Sequence, residues 1–150
     1  MKNIVFVCHG NICRSTMAEF IFRDMVEKKG MGNKFQISSR ATSTEELGNP
    51  VHPGTARILD RLLISYKGKR AQQITKEECN AADLIIVMDR FNRRNLGPFI
   101  GENGHKVHSL LSFAGSDRDI SDPWYTGDFE TTYQDVVEGC SALFDALTKE

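Results

Sequence analysis

No apolar run in this chain approaches the ~20 residues that a membrane-spanning helix needs. The apolar stretch after Met1-Lys2 is too short for a secretory leader. A membrane role and leader-directed export are therefore not expected. Charge of one sign is also missing: 19 Lys and Arg stand against 20 Asp and Glu. Nothing in that balance favours nucleic acid or an anionic surface as a partner. Cysteine is sparse, at 4 of 150 residues, and Cys8, Cys13, Cys79 and Cys140 do not make a disulfide framework. A reducing, cytoplasmic setting is the expectation. Cys8, His9 and Cys13 lie close in sequence, but no second pair follows at zinc-site spacing, so no metal is expected. Repeats and low-complexity linkers are absent. A chain of this length without linkers predicts a single domain over 1–150 with a proper hydrophobic core.

What the chain has is concentrated near its start, in Asn3-Ile4-Val5-Phe6-Val7-Cys8-His9-Gly10-Asn11-Ile12-Cys13-Arg14-Ser15-Thr16. Ile4–Val7 is the continuous apolar run of a strand buried on both faces. Gly10 and Asn11 break it, and both residue types tolerate left-handed backbone angles. Such a turn curls successive amides toward one centre and makes an anion-binding nest. A helix starting near Ser15 or Thr16 would aim its free N–H groups and positive dipole end at the same point. Thr16 and Glu19 have the spacing of a capping box for that start. Arg14 offers a planar fork for two phosphate oxygens. Cys8 is expected to be a thiolate in this field, with Ser15 donating to it from its hydroxyl. A Cys ending a strand is, taken alone, an ordinary small buried residue. The strand, turn, guanidinium and helix start together point instead to a thiolate that accepts a phosphoryl group. The Gly-Lys-Ser/Thr ending of a nucleotide-binding P-loop is missing, which disfavours nucleotide hydrolysis.

Beyond this loop, strands and helices alternate. A first helix is predicted from about Thr16 to Lys28, with Met17, Phe20, Ile21 and Met25 on one face and Gly30-Met31-Gly32 ending it. Strands follow at Phe35–Ser39, Leu84–Met88 and Val107–Ser109. Ala56, Leu59, Leu62 and Leu63 form the buried stripe of a second helix, and short helices are predicted over Lys76–Ala81 and Asp89–Leu96. Tyr133, Val136, Val137, Cys140, Leu143, Phe144 and Leu147 keep the helical period, with Thr131 or Thr132 as the cap. Cys140 lies on that stripe and reads as core. The pattern implies an α/β fold: a single-domain open parallel sheet with helices on both faces and the phosphate-binding loop after the first strand. Ligands of such sheets sit beyond the carboxyl ends of the strands, where Cys8 would lie.

Phosphoryl transfer from an aryl ester would also need an acid, because a leaving phenolate has a conjugate acid near pKa ~10. Ser121-Asp122-Pro123-Trp124-Tyr125 is the best source. It lies in a long polar stretch of the kind that carries function. Pro123 biases Asp122 toward extended backbone, and Trp124 and Tyr125 suit the walls of a slot for a flat ring. Asp-Pro is also ordinary turn chemistry.

Val7–Ser15 together with Asp122-Pro123-Trp124-Tyr125 resembles the low-molecular-weight protein tyrosine phosphatase family, and the likeness covers nearly the whole chain, including Ala82–Asp89 and Asn92. The resemblance implies a low-molecular-weight phosphotyrosine phosphatase-like domain over 1–150 that needs no metal or cofactor. Its substrate would be a phosphotyrosine-containing protein or peptide and its product inorganic phosphate. Cys8 would be the nucleophile that forms a phosphocysteine, Arg14 the phosphate ligand and Asp122 the general acid and later base. His9, Gly10, Asn11, Ile12, Cys13 and Ser15 would form the phosphate-binding loop. Asn11 would hold its strained shape, Ser15 would stabilise the thiolate, and Cys13 would be able to form a reversible disulfide with Cys8. Asp89 would be either a partner of Arg14 or a helix cap.

Trp124, Tyr125 and Glu45 would wall the cleft, Glu45 standing where eukaryotic members often have tryptophan. Thr16 replaces a frequent proline. Lys69 falls about where many members have a histidine that supports the loop asparagine, which puts loop rigidity in question. His52 reads as a polar loop residue, and Arg40 with Arg90, Arg93 and Arg94 as either a steering patch or a solvated face. Two rival activities resemble this family. Thioredoxin-coupled arsenate reductases need further cysteines after the central strand, and Asp89–Asn95 contains none. Protein-arginine phosphatases typically carry threonine where this chain has Ile12, and the aliphatic residue better suits an aryl ester.

Overall fold

The computed structural model describes residues 1–149. Its sheet contains β1 (Lys2–Cys8), β2 (Phe35–Ala41), β3 (Leu84–Val87) and β4 (Val107–Ser109), in the order β2-β1-β3-β4 with every pairing parallel. β1 is central, so its two faces meet different cores. Ile4, Phe6 and Cys8 belong to one apolar cluster with α1 (Arg14–Lys28) and α7 (Phe129–Thr148). Val5 and Val7 point the other way, toward Cys79 of α3 (Lys76–Ala81), Ile74 and Leu96. This two-sided burial is the physical reason for the unbroken apolar run in β1.

α2 (Pro53–Arg61) joins the α1 and α7 side, whereas α4 (Arg90–Asn95) and α5 (Gly97–Ile100) follow β3. Phe22 of α1 meets Phe6 and Phe35 edge-on, each with ring centroids 5.9 Å apart. Cys140 is fully buried, and burial pushes its thiol up, so it serves the core as expected.

Several local expectations are corrected. α1 begins at Arg14, one residue before the earlier of the two expected starts, and no side chain caps it. The Thr16–Glu19 capping box does not form. The Thr16 hydroxyl donates to the Cys13 carbonyl, and Glu19 turns inward, 4 % exposed, toward Ser39. β2 runs on to Ala41 because it stays paired with β1 to its last residue. α2 starts at Pro53 and stops at Arg61, so the expected stripe fails at its end: Leu63 is 92 % exposed at a left-handed φ of 59°. α7 is capped by Asp128, whose side chain accepts from the Thr131 amide, and not by Thr131 or Thr132. Within the expected polar loop lies a short helix, α6 (Pro123–Thr126), capped by Asp122.

α7 seats tightly on the turn Leu110–Ala114. A Cβ at Gly139 would lie 2.4 Å from Leu110 Cγ, whereas one at Gly97 would meet nothing within 4 Å. Gly139→Ala is therefore expected to cost about 1–3 kcal/mol by overpacking, read as a lower urea midpoint. Gly97→Ala should leave the midpoint nearly unchanged.

Candidate active site

β1 delivers Cys8 to the carboxyl edge of the sheet, and the chain then turns through Asn11 before α1 begins. Of the two expected left-handed residues only Asn11 adopts that conformation, at φ 60°. Gly10 serves space instead: a Cβ there would come within 3.2 Å of Glu46 Cγ. Asn11 is 1 % exposed and its side chain points behind the loop, away from the pocket. Its Nδ2 donates to Ser15 Oγ and Ser39 Oγ, both at 2.9 Å, and its Oδ1 accepts from the Gln72 amide at 3.2 Å. Since Ser15 Oγ accepts from Asn11, its own proton is free to point at Cys8 Sγ, 3.0 Å away. The Ser15 amide also donates to that sulfur, at 3.4 Å. A negative sulfur at this position thus has two donors supplied by the first turn of α1.

Arg14 is 2 % exposed and joins three segments. Nη1 donates to Asp89 Oδ2 at 2.6 Å and to the Ile120 carbonyl at 2.9 Å, and Nη2 donates to Asp122 Oδ2 at 3.3 Å. Burial opposes its charge, but the negative groups at Cys8, Asp122 and Asp89 outweigh burial and hold the guanidinium above its ordinary value. Asp89 fills both roles open to it. Oδ1 accepts from the Asn92 amide and caps α4, while Oδ2 takes Arg14. Asp122 is divided in the same way, with Oδ1 capping α6 through the Trp124 amide at 3.0 Å and Oδ2 facing Arg14.

These residues surround one pocket, lined by Cys8, His9, Gly10, Ile12, Cys13 and Arg14 at its base and by Glu45, Glu46, Asp122, Trp124 and Tyr125 around it. Trp124 and Tyr125 are 55 % and 83 % exposed, as rim residues should be. Glu45 also lines the pocket, its Oε2 2.8 Å from His9 Nε2. Asn11 and Ser15, expected in the phosphate-binding loop, are in it by backbone, but their side chains stand behind the pocket surface. Cys13 reaches the pocket, and burial, followed by the negative groups at Cys8 and Asp122, pushes its thiol up. Of the four arginines read as either a steering patch or a solvated face, Arg94 lies over the Phe91 ring. Arg40 pairs with Glu78, Arg90 with Asp119, and Arg93 reaches the Val107 carbonyl.

A family model described as low molecular weight phosphotyrosine protein phosphatase matches residues 3–150. The chain belongs to that family. It is 41 % identical to the low molecular weight protein-tyrosine-phosphatase YfkJ of Bacillus subtilis, over 100 % of this chain and 98 % of that one. The crystal structure of YfkJ superposes with a TM-score of 0.95, covering 99 % of this chain and 96 % of the other. SP-PTP, a low molecular weight protein tyrosine phosphatase from Streptococcus pyogenes, is 40 % identical with a TM-score of 0.88, covering 100 % and 95 %. The YwlE arginine phosphatase is more distant, at 26 % identity and a TM-score of 0.86, covering 99 % and 97 %.

Within this low molecular weight phosphatase scaffold, the departures noted in the sequence acquire physical meaning. Lys69 Nζ lies 3.0 Å from the Ser39 carbonyl and 3.1 Å from Glu19 Oε1, and Ser39 Oγ donates to that same Glu19 oxygen. Lys69 therefore supports Asn11 at one remove, through Glu19 and Ser39. Burial holds the Lys69 amine below its ordinary value, although Glu19 pulls the other way. Ser39, Glu19, Gln72 and Glu46 were not legible as site residues; only Glu19 carried a signal, and it pointed to a cap. His52 is more than a polar loop residue: it caps α2 and lies against Trp124 and Phe129.

Ser39→Ala removes one acceptor from Asn11 and one donor from Glu19, all in a nearly dry region. The expected cost is about 1–3 kcal/mol, measured by urea unfolding, with inorganic phosphate binding weakened in the same variant.

Proposed function

We infer that this chain is a protein-tyrosine phosphatase that works through a phosphocysteine. A phosphotyrosine phosphate enters the cup with its oxygens toward the loop amides and Arg14. The Cys8 sulfur attacks phosphorus, the S–P bond forms as the aryl O–P bond breaks, and Asp122 gives its proton to the departing phenolate. Asp122, now a carboxylate, takes a proton from water. The water oxygen attacks phosphorus, the S–P bond breaks, and inorganic phosphate leaves with Cys8 restored as a thiolate. Arg14 and the loop amides balance the charge on the equatorial oxygens in both steps. The observation that carries this reading is that one buried guanidinium joins the two ends of the reaction: Arg14 lines the pocket beside Cys8 and contacts Asp122.

An aryl ester is favoured over phosphoarginine by Ile12. It lines the pocket, 7 % exposed, and packs with Cys13 and Ala71. Its aliphatic side chain offers nothing to a guanidinium N–H but packs well against a ring. Trp124 and Tyr125 line the same pocket and offer it aromatic surface, which suits a phenyl ring better than the short aliphatic arm of phosphoserine. A cytoplasmic, reducing environment suits a reaction that needs Cys8 as a free thiol, and all four cysteines are free.

Cys8→Ser is expected to abolish p-nitrophenyl phosphate hydrolysis while retaining phosphotyrosine-peptide binding. Asp122→Ala should slow phosphotyrosine turnover by about 10²–10⁴-fold. Rapid quenching of the wild type should trap phosphate on Cys8. Normal turnover by Cys8→Ser would overturn the reading, and faster turnover of phosphoarginine than phosphotyrosine peptides would overturn the substrate assignment.

A further inference from the structure

Behind the aromatic wall of the pocket stands a side chain that neither chemical step uses. His52 precedes α2, and its Nδ1 accepts from the Gly54 amide at 3.0 Å. That bond requires the neutral ring with its proton on Nε2. Burial, and after it Arg57, hold the imidazole below its ordinary value against the pull of Glu46 and Asp122.

The backbone of this segment is fastened to the phosphate loop. The His52 amide donates to the Ile12 carbonyl at 2.9 Å, and Thr55 Oγ1 donates to the next carbonyl, that of Cys13, at 3.1 Å. The ring faces the other way, toward the acid. It stacks on Phe129 with centroids 5.0 Å apart and planes at 20°, and it meets Trp124 edge-on at 5.6 Å and 76°. Phe129 packs closely on the entry of α2. A Cβ at Gly54 would lie 2.4 Å from its ring, so glycine is what lets the ring sit against the entry of α2. Trp124, for its part, donates its amide to Asp122 Oδ1. Ile12, His52, Trp124 and Asp122 therefore form an unbroken line of contact from the floor of the pocket to its lip.

Trp124 is 55 % exposed, so burial alone does not fix its ring, and the edge contact with His52 is what braces it from behind. We propose that His52 is a positioning residue for this site: it braces Trp124, and through the Trp124 amide the Asp122 carboxyl, against the phosphate loop. The nucleophile and the proton donor, which come from opposite ends of the chain, are thereby kept in register. This rests on the phosphatase reading above, with Asp122 as the acid.

Leaving-group dependence separates the proposal from a purely structural role. Tyrosine leaves as a poor phenolate that needs the Asp122 proton, whereas p-nitrophenolate leaves readily and needs it far less. The quantity to measure is kcat/KM for phosphotyrosine divided by kcat/KM for p-nitrophenyl phosphate. His52→Asn keeps an acceptor for the Gly54 amide but removes the ring. His52→Phe keeps a flat ring and removes the acceptor. The expected result is that His52→Asn lowers the ratio roughly 3–30-fold, less than the ~10²-fold that a full 1 Å misplacement costs. His52→Phe should return the ratio close to wild type while lowering the melting temperature through the lost cap. A wild-type ratio in His52→Asn would overturn the proposal. So would equal losses on both substrates in both variants, which is the mark of a general packing defect. Asp122→Asn is the reference. If it leaves the ratio unchanged, the acid assignment has failed, and that failure is distinct from a failure of His52.

Discussion

Asn11 is a buried, non-glycine residue in the left-handed region, and the whole site is arranged around keeping it there. That conformation costs a residue with a Cβ about 1–2 kcal/mol. Three hydrogen bonds offset it, to Ser15 Oγ, to Ser39 Oγ and from the Gln72 amide, each worth roughly 1 kcal/mol. These partners belong to the first turn of α1, to β2 and to the segment that bridges to the end of β2. The loop's shape is therefore held partly from outside the loop, by β2 through Ser39 and by the bridging segment through the Gln72 amide. A cup already shaped for phosphate needs no reorganisation when phosphate arrives, which is where electrostatic catalysis gains most.

The second constraint is charge. A guanidinium that is 2 % exposed is tolerable only with its partners in place. Arg14 meets this requirement with Asp89 and the Ile120 carbonyl at close range and with Asp122 at the longer distance of 3.3 Å. The tighter pair holds the guanidinium still, and the looser one belongs to Asp122, the proposed acid. Because Asp89 also caps α4 and Asp122 also caps α6, each carboxylate is oriented by a helix before it meets Arg14. The geometry around Arg14 is built from ordinary capping chemistry at two helix starts.

How much of this could be read from the residues follows from how local each signal is. The apolar run of β1, the period of α7 and the Cys8–Arg14 spacing are local, and all three appear where the sequence puts them. Asp122 with its aromatics stood out as an acid in a long polar loop, and the resemblance to a family decided it against a plain turn and added Asp89 as a partner of Arg14. Glu19 was misread because Thr-x-x-Glu has the same spacing whether the acid turns back to cap or inward to a strand. What decides between them is Ser39, twenty residues away and carrying no motif. Leu63 was misread because nothing in a leucine announces a left-handed helix end. His52 and Ser39 act through contacts across long sequence separations, for which a single chain read from end to end has no pattern, and Lys69 was marked only through the resemblance.

The account stands on the preformed cup, and the most direct measurement is calorimetric titration of inorganic phosphate into the wild type and Asn11→Ala, with folding checked by circular dichroism. A cup shaped by Asn11 should bind phosphate in the wild type and lose at least about tenfold in affinity, ~1.4 kcal/mol, in a variant that remains folded. Equal affinities in two folded proteins would contradict it, because the anion site would then owe nothing to the residue on which its shape depends.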